Sequence, residues 1–309
     1  MRSIYLLAIL CLTLLAGACT QIETKGTMAA GQRMKVLTTT SILKDAVANI
    51  VGDAADVESV MGSGVDPHLY KATQGDLQKL MEADVIIYNG LYLEGKMGEV
   101  MEKLSRQKTV VTATASIPKE RLRSSEQFAH SQDPHVWFDV QLWMEVVRHL
   151  SQELQQKDPA NAEVYRQNTQ AYLQELDGLH QWVTQQIQTI PEQQRILITA
   201  HDAFGYFGDS YGIKVRGLQG ISTVSEFGLQ DVSSLVKYIA DNKIKAVFVE
   251  SSVSPKAIEA VVVGSRERGH QVKIGGTLYS DALGKEGTAE GTYIGMVRHN
   301  VYSMVSALK

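Results

Sequence analysis

No proline occurs between Pro159 and Pro191, and across that stretch Tyr165, Tyr172, Leu176, Leu179, Val183, Ile187 and Ile190 follow one another at steps of three, four or seven. Such spacing gathers them on one apolar stripe of a helix. Asp158 is suited to cap that helix, and Pro159 to stand at its first position, where a missing N–H costs nothing. The sequence therefore predicts a linking helix over residues 158–191, and roughly 32 residues at 1.5 Å each would span about 48 Å. On both sides of it short β-rich runs alternate with helix-patterned stretches. Before it, runs at 35–39, 57–61, 85–88 and 109–114 are separated by helical patterns at 42–51, 74–83 and 95–105. After it, runs at 195–199, 215–218, 246–249 and 272–275 interleave with helical patterns at 232–241, 255–268 and 288–308. The expected fold class is α/β: an N-terminal lobe over 34–157 and a C-terminal lobe over 192–309. Each has a parallel sheet flanked by helices, and one long interlobe helix joins them. A rigid strut of this kind limits hinge motion.

The first 20 residues belong to a different argument. Arg2 is their only charge, an apolar run covers residues 4–15, and Ala16-Gly17-Ala18 precedes Cys19. Positive, then apolar, then small is the order of a secretory signal over residues 1–18. A cysteine directly after the small residues resembles a bacterial lipobox, whose thiol is lipidated, although Ala16 stands where that pattern prefers Leu. Lipidation of Cys19 would anchor the chain to a membrane, with residues 19–33, rich in Thr, Gly and Ala, as a flexible tether. No later stretch approaches the ~20 consecutive apolar residues of a membrane span. The chain's 34 acidic residues outnumber its 30 basic ones and no basic stripe stands out, which argues against a nucleic-acid partner. Two cysteines are too few for a disulfide scaffold or a zinc ribbon.

Chemistry concentrates in the eight histidines. Two share one tripeptide, Asp66-Pro67-His68 and Asp133-Pro134-His135, and proline stiffens the approach to each. His201 directly follows the predicted strand 195–199, and Asp281 follows the one at 272–275, at carboxyl ends of strands where open α/β sheets bind ligands. His68 and His135 fall in one lobe, His201 and Asp281 in the other, which points to a site in the cleft between them. His149, His180, His270 and His299 read as structural or surface residues. His130, close to the second tripeptide, reads as a solvent-facing auxiliary.

The stretches Gly64-Val65-Asp66-Pro67-His68-Leu69-Tyr70, Asp133-Pro134-His135-Val136-Trp137-Phe138-Asp139, Ala200-His201-Asp202-Ala203-Phe204 and Val249-Glu250-Ser251-Ser252 resemble the substrate-binding lipoproteins of bacterial zinc and manganese ABC transporters. These are the cluster A-I receptors, TroA-like and ZnuA-like, and the likeness extends over the mature chain, the long helix and Ser225-Glu226-Phe227-Gly228-Leu229 included. The resemblance implies two lobes sandwiching a divalent metal, with His68, His135, His201 and Asp281 as ligands. It also implies a permease and its ATPase as partners, a monomeric receptor, and a lipid-anchored location on the periplasmic or extracellular side of the cell membrane. Relatives that favour manganese often have Glu at the position of His201. Zinc-specific relatives often carry a His- and acid-rich loop before the second ligand, whereas residues 119–132 here contain only His130.

Three imidazoles and a carboxylate suit Zn²⁺ first, with the harder Mn²⁺ second. Each liganding imidazole should give its other N–H to a carboxylate or carbonyl, and Asp66, Asp133, Asp202, Glu226 and Glu250 are the candidate partners. The expected function is metal capture for transport, not catalysis. A secreted zinc hydrolase needs an open coordination position and commonly carries His-Glu-x-x-His, which this chain lacks. A metal-binding surface adhesin could share the fold but has no signature of its own.

Overall fold

The computed structural model describes residues 33–124 and 132–309. The signal, Cys19, the tether up to Gln32, and His130 lie outside the described residues. The first half contains β1 (Met34–Thr38), α1 (Ser41–Val51), β2 (Ala55–Ser59), α2 (Gln74–Glu82), β3 (Val85–Tyr88), α3 (Lys96–Leu104) and β4 (Thr109–Thr112). Its strands form one parallel sheet in the order β2-β1-β3-β4. Parallel neighbours need a crossover, and the helices supply it. Side chains alternate across this sheet: Val36 and Ile87 enter the main core on one face, while Leu37 and Ile86 pack with Leu80 and Met97 on the other.

Two long helices follow, α4 (Val140–Lys157) and α5 (Ala162–Gln188). The second half contains β5 (Ile196–His201), α6 (Gly205–Tyr211), β6 (Lys214–Gln219), α7 (Leu229–Asp241), β7 (Ala246–Glu250), α8 (Lys256–Glu267), β8 (Lys273–Leu278) and α9 (Tyr293–Leu308). β5 pairs with β6 and β7 with β8, both in parallel, and β5 packs beside β7. Every residue of β5 is buried, as expected of a strand covered on both faces. Ile198, Val247, Leu235 and Ile258 form this half's own core, whereas the main core runs through both halves, from Val36 to Met304.

The linking helix is shorter than expected: 27 residues, about 40 Å. The expected span 158–191 fails at its start because the residue before a proline is pushed out of the α region. Asp158, at φ −129° and ψ 74°, closes α4 by donating its N–H to the Leu154 carbonyl. Pro159 therefore stands in a turn and not at the first helical position. The Asp158 carboxylate accepts from Asn161 Nδ2 (2.8 Å) and the Tyr165 hydroxyl (2.7 Å), tying the new helix to the old one. The expected stripe is buried along α5, from Tyr165 to Ile187, and Ile190 is buried just beyond it.

α5 is also not the sole connection. α9 packs on both α1 and α5, and its first residue is fastened into the first half. The Tyr293 N–H donates to Asp45 Oδ2 (3.1 Å), its hydroxyl donates to the Trp137 carbonyl (2.7 Å), and its ring stacks on Trp143. The helix expected over 288–308 starts only at Tyr293, where Thr292 caps it by accepting from the Gly295 N–H (3.1 Å).

Candidate metal centre

All four predicted donors come together. His68, His135, His201 and Asp281 are buried, and one ligand atom from each lies within 4.8 Å of all the others. His68 Nε2 lies 3.4 Å from His135 Nε2, His135 Nε2 lies 3.4 Å from Asp281 Oδ1, and His201 Nε2 lies 3.4 Å from Asp281 Oδ2. His201 is the last residue of β5, and the other three occupy loops.

Each donor is set by different means. In both Asp-Pro-His tripeptides the aspartate accepts the backbone N–H of its own histidine, at 2.9 Å for Asp66 and 3.0 Å for Asp133. Asp133 Oδ1 also holds His135 Nδ1 at 2.8 Å, while the second oxygen of Asp66 turns away to accept the Thr223 hydroxyl at 2.6 Å. His201 is held from the neighbouring strand, since Glu250, the last residue of β7, takes its N–H at 2.9 Å and faces its Nδ1 at 2.6 Å. Asp281 Oδ2 accepts the Ser252 hydroxyl (3.2 Å), and Trp137 Nε1 donates to the carbonyl of Ser280 (3.0 Å), pinning the Asp281 loop to the first half. His68 Nδ1 is buried without a hydrogen-bond partner.

Burial, its largest influence, lowers the His68 imidazole to about 3. Burial acts the same way on His135, but hydrogen bonds to Asp133 and Asp281 outweigh it and raise that imidazole to about 9. His201 is likewise raised well above its ordinary value, burial being overcome by the charges of Glu250 and Asp281. Asp281 would be raised by burial alone, but the charge of His201 and the bonds from both histidines hold it well below the usual carboxylate range. Protonated imidazoles crowd one another in this volume, so the donor set suits a cation that takes the place of their protons.

Among the five candidate outer carboxylates, Asp133 and Glu250 face imidazole nitrogens. Asp66 closes its own loop, Asp202 is half-buried near Arg123 and Asp133, and Glu226 is exposed. Thr223 and Arg123 carry no mark in the sequence and Ser252 stands out only within the Val249-Glu250-Ser251-Ser252 stretch, since a lone hydroxyl or guanidinium leaves no periodic signal. The remaining described histidines lie elsewhere, each beside a structural partner: His149 at the Thr112 carbonyl, His180 at the Tyr211 hydroxyl, His270 at the Ile244 carbonyl and His299 at the Thr277 carbonyl. A Cβ on Gly275 would sit 2.7 Å from Ala307, and one on Gly284 2.7 Å from Glu290, so both permit close packing and do not loosen the segment.

Parallel α/β halves that bring three imidazoles and a carboxylate together define a class: a protein with a nitrogen-rich site of the size and donor set that suits a small cation. The family described as zinc-uptake complex component A, periplasmic (ZnuA) matches residues 36–307. The chain belongs to that family. It is 50% identical to the manganese-binding lipoprotein MntA of Bacillus subtilis, over 91% of this chain and 92% of that one. It is 45% identical to the zinc-binding protein TroA of Treponema pallidum, over 97% and 96%. The solved structure of that periplasmic zinc-binding protein superposes with a TM-score of 0.87 at 46% identity, covering 90% of this chain and 99% of the other.

Proposed function

We propose that the chain is an extracytoplasmic solute-binding protein. It captures a divalent transition metal between its two lobes, over 34–157 and 192–309, through His68, His135, His201 and Asp281, and passes it to an ABC transporter permease driven by its ATPase. The metal is cargo, and the protein is a monomeric carrier rather than an enzyme. A lipid on Cys19 holds it to the cell membrane, facing the periplasm or the outside. The names of its relatives, lipoproteins of metal ABC transporters among them, support this location. Among the described residues, no helix is long and apolar enough to cross a membrane.

One observation carries the metal assignment. Three imidazole nitrogens and one carboxylate, with one donor atom from each within 4.8 Å of all the others, match the four-coordinate, nitrogen-rich shell that zinc takes. Zn²⁺ is therefore the first choice. Mn²⁺ is the second reading, favoured by the way Asp281 turns one oxygen to His135 and the other to His201, which offers a fifth donor to a larger ion. Competition of Zn²⁺ and Mn²⁺ for the metal-stripped protein, followed by direct metal analysis, tests both. One tight equivalent of Zn²⁺ that excess Mn²⁺ does not displace is expected, preference for Mn²⁺ reverses the order, and failure to retain either ion refutes the capture function.

A further inference from the structure

Behind His135 lies a side chain that touches no donor of the cluster yet is joined to both halves of it. Arg123 Nε is 3.5 Å from Asp133 Oδ2, the oxygen opposite the one that holds His135. The same guanidinium pairs with Asp209 on α6, the helix that begins four residues after His201. The backbone repeats the link. Asp133 N–H donates to the Arg123 carbonyl (2.8 Å), Arg123 N–H donates to the Tyr206 hydroxyl (2.9 Å), and that hydroxyl donates to the Asp133 carbonyl (3.0 Å). Tyr206 also belongs to α6.

Room for the guanidinium is made by a missing side chain. Gly205 opens α6, and a Cβ there would fall 2.6 Å from Arg123 Nε and 2.9 Å from its Cζ. Only a planar, forked cation can lie flat on that backbone and address two carboxylates at once; a lysine ammonium would have to choose.

We propose that Arg123 is a positioning residue: braced on the helix that follows His201, it holds Asp133 against His135 and so sets the affinity and coordination geometry of the site. The inference rests on the reading of His135 and His201 as metal ligands.

The test uses the metal-stripped chain, with Zn²⁺ titrated against a competing chelator and Co²⁺ as a coloured stand-in. Arg123→Gln should weaken Zn²⁺ binding by up to roughly 10-fold, the lower end of the range for a partner that contacts the ligand itself, and should alter the visible Co²⁺ spectrum. Arg123→Lys should recover part of both. Gly205→Ala separates positioning from simple stabilisation: alanine favours the helix, yet its methyl evicts the guanidinium. It should therefore lose Zn²⁺ affinity while the metal-free melting temperature holds or rises. If Arg123→Gln fails to fold, Gly205→Ala still decides. Parental Zn²⁺ affinity and Co²⁺ spectrum in these variants overturn the proposal, as does affinity that falls only in step with melting temperature. His135→Ala in the same series keeps the two readings apart: should it bind like the parent, the metal centre itself is misassigned, whereas its failure beside an unaffected Arg123→Gln removes Arg123 alone.

Discussion

His68 and His135 stand in the same tripeptide and meet the same cluster, yet the two loops are wired differently. Asp133 gives one oxygen to both nitrogens of His135 it can reach, backbone and Nδ1, and turns the other toward Arg123. Asp66 caps only the backbone of His68 and sends its second oxygen to Thr223, in the other half of the chain. His68 Nδ1 is left buried and unpartnered. One imidazole is oriented by a carboxylate that favours its charged form; the other is oriented by packing and kept neutral. The same three residues thus make a braced imidazole in one loop and a latch in the other, because the contacts that decide between them come from distant parts of the chain.

The comparison breaks most visibly under ligand removal. His135→Ala and His201→Ala should each weaken Zn²⁺ binding beyond the roughly 100-fold that marks loss of an outer partner, and His68→Ala should weaken it less, because its imidazole lacks a carboxylate that raises donor strength. Chelator competition measures all three, and equal losses would erase the distinction. The aspartates come next. Asp133→Asn should weaken binding by roughly 10–100-fold, whereas Asp66→Asn, which retains an oxygen for the His68 N–H, should change it only a few-fold. A larger loss at Asp66 would mean that the His68 loop is the oriented one.

Protonation sharpens the same contrast. In the metal-free protein His135 is raised to about 9, so its contribution to stability is fully present below the unfolded value near 6.5 and is lost as pH rises through about 9. His68, lowered to about 3, works in the opposite direction: the folded state binds fewer protons, and stability is lost as pH falls from about 6.5 toward 3. A metal needs both imidazoles neutral. At pH 7.5 His135 must release a proton on binding and His68 need not, so apparent affinity should climb with pH between about 6.5 and 9, by roughly tenfold per unit for each proton released. Asp133→Asn should remove about one proton from that slope, and Asp66→Asn should leave it unchanged. Titrations in buffers of different ionisation enthalpy count the protons directly.

What could be read from the sequence follows the range of the forces involved. The strands were legible because their apolar runs are local, and the stripe on α5 because its period is. Its start was not, since the pre-proline restriction at Asp158 overrode a plausible cap. α6 escaped notice because it is only seven residues long and contains two glycines. Among the site residues, the Asp-Pro-His pairs announce themselves within three positions. Glu250 reaches His201 only because β7 lies beside β5, across 49 residues of sequence. Arg123, Thr223 and Ser252 depend wholly on such tertiary neighbours, so residue type alone could not reveal them.

The smallest expected effect concerns the latch. Thr223→Val removes the hydroxyl that Asp66 accepts and leaves every donor and every outer carboxylate in place. Zn²⁺ affinity should fall by no more than a few-fold with an unchanged Co²⁺ spectrum, but release into excess chelator should quicken. The reason lies in what else holds the halves together. α5 is a continuous hydrogen-bonded helix packed on α1, α4 and α9, and Tyr293 fastens α9 to Asp45 and Trp137. A wide rotation would have to break those contacts, so opening is expected in the loops that lack them. Hydrogen exchange in the variant should accelerate across residues 62–70 and 222–228 and leave the centre of α5 slow, with and without metal. If instead solution scattering records domain-scale compaction on metal binding, the halves hinge as bodies, and the difference between the His68 latch and the His135 brace does not govern release.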